Sequence, residues 1–414
     1  MHPTGTLQQR ATRLVFFAAG LGMAAWAPLV PYAKIRLGLD EATLGFLLLC
    51  LGAGSLCAMP FTGVLAGRFG CRSVILWAGA LLIAILPGLA LAATPLQLGL
   101  VLLAFGAAMG TMDVAMNIQA VIIEKANGGA MMSGFHALFS VGGFAGAAVM
   151  ALLLWLGLTP AWSCVVLMVL LAAVIGASQG HLLRTVSPSG EKTPLFVMPH
   201  GAVILIGLLC FIVFLAEGAI LDWSALFLTT TRGVDASQGG LGYAAFAIAM
   251  TVGRFTGDKV VGRFGGKRVL AFGGLCAAGG FFLAVLAPGA VLALLGFVLI
   301  GLGAANIVPI LFTAAGSQTA MPASLAVAAI TTIGYAGILA GPALIGFVAH
   351  ATSLNIAFAI LGGALLLVAA SARLAASPAA AARQPACFFP HKRGGGKKTT
   401  ARHCPVRIRE PLSW

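Results

Sequence analysis

Twelve strongly apolar runs, each about long enough to cross a bilayer as a helix, follow one another at about 14–33, 43–66, 73–93, 95–123, 131–157, 160–182, 201–228, 239–261, 268–288, 290–315, 322–350 and 352–373. A span needs roughly 20 apolar residues, and in hydrocarbon each backbone N–H and C=O has to be satisfied inside its own helix. The chain of 414 residues is 60% hydrophobic and 8% charged, against roughly 25% charged residues in an ordinary soluble domain. A water-soluble globule and a disordered chain are excluded on that ground. The runs do not alternate in polarity, which excludes a β-barrel. The sequence therefore predicts an all-α integral membrane protein with twelve transmembrane helices.

The formal net charge of +14 is unevenly placed. Residues 377–414 supply half of it through Arg383, Lys392, Arg393, Lys397, Lys398, Arg402, Arg407 and Arg409 against Glu410, and the body of the chain is only mildly basic. A nucleic-acid partner has no footprint there. The tail lacks apolar periodicity and is expected to be disordered, as a dispensable extension or as a contact with anionic lipid. Eight cysteines lie at 50, 57, 71, 164, 210, 276, 387 and 404 without CxxC spacing. No metal, redox site or cofactor is expected from them. Arg10 and Arg13 ahead of an apolar stretch imitate a signal peptide, but a polytopic chain retains such a segment as its first helix.

An even number of spans puts both termini on one side. Connections on that side carry Arg10, Arg13, Arg68, Arg72, Lys125, Arg184, Lys192, Lys259, Arg263, Lys267, Arg268 and Arg373, whereas the opposite side carries Lys34, Arg36 and Arg232. Lys and Arg concentrate in cytoplasmic loops, so the termini are expected in the cytoplasm.

The chain also repeats itself at an offset of 195 residues. Gly38-Leu39-Asp40 matches Gly233-Val234-Asp235, Gly67-Arg68-Phe69-Gly70 matches Gly262-Arg263-Phe264-Gly265, Gly106 matches Gly301, and Gly146 matches Gly341. Two pseudo-symmetric six-helix bundles follow, with a midplane cavity between them. The expected division is an N-terminal bundle at 1–182, a cytoplasmic linker at 183–200, a C-terminal bundle at 201–376 and the basic tail at 377–414.

Charged groups inside spans are costly and mark candidate sites. Asp113 sits about ten residues into the fourth span, roughly 15 Å deep, with Asn117 one turn onward. Glu217 is close to mid-membrane in the seventh span, while Asp222 is nearer its outer end beside Trp223. Arg254 in the eighth span needs an anionic partner: Glu217, Asp258 at i, i+4, or an acidic solute. His136 is a candidate proton relay, and Trp26 and Asn306 are candidate cavity residues, although each of the three also suits plain helix packing. No G-x-x-x-x-G-K-[ST] loop occurs in the chain, so ATP-driven pumping by this chain is not expected.

Gly63 to Arg72 reads G-V-L-A-G-R-F-G-C-R, and Gly257 to Arg268 reads G-D-K-V-V-G-R-F-G-G-K-R. This doubled loop resembles the signature of the major facilitator superfamily. The resemblance implies that its glycines let helices approach and its charges form a cytoplasmic latch, which makes Gly63, Arg68, Gly70, Arg72, Asp258, Arg263 and Gly265 candidate gating residues. Simple topogenic charge explains Arg68 and Arg72 equally well. The first copy departs from the signature in having Gly67 where an aspartate is usual. Thr111 to Glu124 (T-M-D-V-A-M-N-I-Q-A-V-I-I-E), Ser133 to Gly143 (S-G-F-H-A-L-F-S-V-G-G) and Glu217 to Ser224 (E-G-A-I-L-D-W-S) resemble the YbjJ-type inner-membrane transporters and, more remotely, the proton-coupled fucose permeases. That likeness implies proton coupling at Asp113 with Asn117 beside it. The permeases' first-helix acid has no counterpart between Gly20 and Tyr32.

The function expected is secondary active transport of a small polar solute by alternating access, as proton symport, by a monomer embedded in the lipid bilayer. Proton-linked efflux of drugs or metabolites is the alternative, although Gly146-Ala147 stands where exporters carry Gly-Pro. A non-transporting membrane sensor or enzyme is the reading from another class; no nucleophile and base arrangement or soluble domain speaks for it.

Overall fold

The computed structural model describes residues 5–184, 198–235 and 238–375, apart from the side chains of residues 41 and 42. Most of the linker and the whole basic tail fall outside the described residues. Fourteen α-helices occur among them: α1 (Thr6–Ala24), α2 (Val30–Leu37), α3 (Glu41–Leu91), α4 (Pro95–Asn127), α5 (Met132–Trp155), α6 (Pro160–Ser178), α7 (Ala202–Arg232), α8 (Leu241–Phe264), α9 (Gly266–Leu286), α10 (Ala290–Ala304), α11 (Ile307–Ser317), α12 (Ala323–Ala351), α13 (Leu354–Ala370) and α14 (Ala372–Ala375). Nine segments among the described residues are long and apolar enough to span, with α1 and α2 forming one and α10 and α11 another. One of the nine, α3, is two spans folded at Gly70, whose φ of 79° and ψ of 151° are open only to glycine at little cost. With α8 and the 17-residue α13 the count is the twelve expected.

Local chemistry sets the helix ends. Thr94 and Thr159 accept hydrogen bonds from the backbone N–H groups of Gln97 and Trp162, and Pro95 and Pro160 take the first helical position, where a missing N–H costs nothing. Large apolar side chains remain on the outside, among them Trp77, Trp155, Phe272 and Phe347. A surface of that kind is stable in lipid and not in water.

The repeat is a repeat of contacts. A Cβ on Gly106 would overlap the Leu51 carbonyl, and one on Gly301 would overlap the Phe246 carbonyl, so both partners obey the same 195-residue offset. Gly146 abuts the Leu21 carbonyl, whereas Gly341 stands off from Leu215 by an ordinary van der Waals distance. Gly142 and Gly337, a pair that the sequence reading passed over, press on the carbonyls of Phe17 and Phe211. Gly70 and Gly265 share nearly one conformation, with φ of 79° and 80°. At the end away from the termini Arg36 donates to the carbonyls of Leu89, Ala90 and Ala92 at the close of α3, and Arg232 donates to those of Ala284 and Val285 at the close of α9. Cations at helix C-termini satisfy orphan carbonyls and oppose the macrodipole. The fold is thus two pseudo-symmetric six-helix bundles.

Candidate functional site

Where the bundles face each other, polar side chains collect at mid-depth. Asn117 is fully buried on α4, and its Nδ2 donates to the Asp113 backbone carbonyl at 2.9 Å and to Asp113 Oδ1 at 3.2 Å. The i, i+4 spacing closes this pair. Across the interface, Arg254 on α8 is only 8% exposed. Its Nη1 donates to Ser140 Oγ of α5 at 2.9 Å, and its Nη2 faces Glu217 Oε1 of α7 at 3.8 Å. His136, one turn before Ser140, is held between the rings of Phe16 and Phe312, with centroids at 5.4 and 5.7 Å. Asn306 lies at the break between α10 and α11, and its Nδ2 donates to the Gly253 carbonyl at 3.2 Å.

Trp26 is buried, and its Nε1 has no hydrogen-bond partner among the described residues. The same holds for Asn117 Oδ1, His136 Nε2, Glu217 Oε1, Arg254 Nε and Asn306 Oδ1. Asp222 is exposed.

Toward the end that carries the termini the two bundles touch at several close contacts, beside a cavity of about 140 Å³ lined by Pro60 of one bundle and Leu325 and Ala328 of the other. Gly257 could carry no side chain, because a Cβ would overlap Asn306 Oδ1 and stand 2.6 Å from Ser133 Cβ. Gly63 is closed off in the same way, with the Ser324 carbonyl 2.8 Å from its Cβ position. The first glycine of each motif copy therefore fits against the opposite bundle. Asp258 does not pair with Arg254. Its Oδ2 accepts from the Gly134 N–H of α5 at 3.0 Å, so the i, i+4 alternative yields to the positive end of a helix dipole in the other bundle.

Two residues of this seal carried no such reading in the sequence. Glu124 Oε2 accepts from the Met131 and Met132 N–H groups at 2.8 Å each, and its Oε1 accepts from the Thr313 hydroxyl of α11. Lys125 Nζ donates to the Gly316 carbonyl, also on α11. A buried acid beside a base at the end of a span was the available signal. Arg72, by contrast, stays within its own bundle: its Nε donates to the Gln179 carbonyl at 2.9 Å and its N–H to the Leu183 carbonyl at 3.0 Å. Arg68 and Arg263 are exposed, the latter over the ring of Phe264, and neither crosses the interface in a described contact.

A paired acid and amide and a loose buried ion pair thus lie at mid-depth, with close contacts between the bundles toward the end that carries the termini. Known proteins resemble the chain in sequence and in fold. The chain is 60% identical over 356 residues to an uncharacterised MFS-type transporter of Yersinia pestis, covering 86% of this chain and 92% of that protein. It is 32% identical over 364 residues to the membrane protein MosC of Rhizobium meliloti, covering 87% and 88%. Its fold matches a major facilitator transporter, FucP, solved in the outward conformation, with a TM-score of 0.73 at 15% identity over 91% of this chain and all of that one. The human organic anion transporter MFSD10 matches with a TM-score of 0.69 at 16% identity over 88% and 99%. The Major Facilitator Superfamily model matches residues 14–324. The chain belongs to the major facilitator superfamily, a family of membrane transporters.

Proposed function

We propose that this protein is a proton-coupled symporter that moves a small polar solute across the bacterial inner membrane by alternating access, as a monomer with both termini in the cytoplasm. The halves that move are assigned to residues 1–182 and 201–376. The observation that carries this reading is the row of buried polar atoms on α4, α5, α7 and α8, at the turn after α1 and at the break after α10, that no group among the described residues satisfies. Each would cost about 1–3 kcal/mol in a dry interface, so the row fits a cavity that water or a solute fills. The seal formed by Gly63, Gly257, Asp258, Glu124 and Lys125 corresponds to a state loaded from the opposite side.

Asp113 is assigned as the coupling acid. It lies deep in α4, partly exposed, and its described side-chain bond is to a neutral amide. Such a carboxyl can be stable both protonated and charged, and a proton shifts the balance of two states only by its differential affinity for them. The experiment is uptake of labelled sugars, polyols and organic acids into proteoliposomes under a pH gradient. Accumulation that a protonophore abolishes is the expected result. Accumulation unchanged by the protonophore removes proton coupling from the reading.

A further inference from the structure

A guanidinium stays charged at any depth, so a buried arginine has to be matched by acceptors. Arg36 meets that rule with three carbonyls, and Arg232 donates to the carbonyls of Thr231, Ala284 and Val285 through its two terminal nitrogens, leaving its Nε without a partner among the described residues. Arg254 has far fewer acceptors. Its Nη1 is satisfied by Ser140, but its Nη2 stands 3.8 Å from Glu217 Oε1, too far for a hydrogen bond, and its Nε has no partner among the described residues. Glu217 Oε1 is likewise buried without a partner. A closed arginine–carboxylate pair has N–O distances of about 2.7–2.9 Å, so these two residues hold each other by charge alone.

The open edge of Arg254 is the one formed by Nε and Nη2. A carboxylate takes that edge with two parallel hydrogen bonds, which a single point charge cannot offer. Glu217, standing off beside the same edge, has a free acceptor for a donor on the same molecule. We propose that the transported solute is a small hydroxycarboxylate, its carboxylate bound side-on by Arg254 Nε and Nη2 and a hydroxyl donating to Glu217. The solute then takes over the place at Arg254 that Glu217 holds loosely in its absence. This deepens the reading above and rests on it.

The test uses the full-length protein in proteoliposomes under a pH gradient, with labelled lactate, glycerate and gluconate set against the neutral glycerol and glucose. At least one hydroxy acid should accumulate, and the neutral compounds should not. Arg254→Lys keeps the charge but not the two-pronged edge, and should raise the half-saturation concentration by about tenfold or more. Glu217→Gln removes the competing charge and should lower that concentration. A purely structural role for the pair would reduce the amount of folded transporter in both variants and leave half-saturation unchanged, which overturns the proposal. Accumulation of glycerol or glucose in place of the acids also overturns it, yet leaves the symporter standing. Accumulation of neither class overturns both.

Discussion

Asp113 and Asn117 stand out in the sequence because one turn of helix places them side by side, and the structure joins them with a 3.2 Å hydrogen bond. Asp113→Asn keeps the size of the side chain and removes its change of charge. Uphill accumulation under a pH gradient is therefore expected to fall to an inside-to-outside ratio of about 1, while solute exchange, which moves no net proton, persists at least in part. Accumulation retained in Asp113→Asn but lost in Glu217→Gln would move the coupling role to Glu217. Local spacing was a poor guide for Asp258, whose partner is Gly134, 124 residues away. No periodicity carries that information, since the contact exists only once two bundles have met. Glu124 reads along the chain as one charge at the end of a span: its bonds to Met131 and Met132 stay within its own bundle, and only the one to Thr313 of α11 waits on the meeting of the two bundles.

Helices were legible where hydropathy changes and hidden where it does not. The run at 290–315 reads as continuous, yet it is broken into α10 and α11 at Asn306, a residue that bonds sideways to α8. The first span begins earlier than its apolar run, at Thr6, because Arg10 and Arg13 ride on the helix end that leaves the bilayer. Close approach explains several of the glycines and gives a measurable contrast. Gly106→Val would drive a side chain into the Leu51 carbonyl, and overpacking of that kind costs about 1–3 kcal/mol. Gly279→Val, where nothing lies within 4 Å of the Cβ position, should leave the melting temperature in detergent nearly unchanged. The gate can be tested through its charge. Asp258→Asn weakens the hold on the N-terminus of α5 by about 1 kcal/mol, which is roughly a fivefold shift toward the state opened at the sealed end. Faster thiol labelling of a cysteine placed at Ser133 should report it, and an unchanged labelling rate would take Asp258 out of the gate.

At the scale of the whole molecule, the duplication was readable from four glycine-centred matches, and at Gly106 and Gly301 the close contact itself recurs at the same offset. Orientation rests on charge alone. Reporter fusions at residues 125, 190 and 376 should all give a cytoplasmic signal, and an external signal at 190 would break the arrangement of two parallel bundles. The basic tail lies outside the described residues. Its composition predicts that ending the chain after Ser377 leaves membrane insertion and uptake intact, a result that loss of the protein from the membrane would reverse.

The break in the tenth span bears on how binding could reach the seal. Asn306 is bonded to the Gly253 carbonyl, one peptide from Arg254, and the short α11 that follows carries the Thr313 hydroxyl and the Gly316 carbonyl gripped by Glu124 and Lys125 of the other bundle. From Asn306 to Gly316 is about 15 Å of helix. A rigid rod through the membrane would pass any tilt of α8 to the whole bundle at once. A rod interrupted at Ala305 and Asn306 has a bending point beside the cation, and a small turn there would swing the far tip of α11, where Glu124 and Lys125 bind. On the proposed mechanism, release at that tip would need only the bending of one short arm.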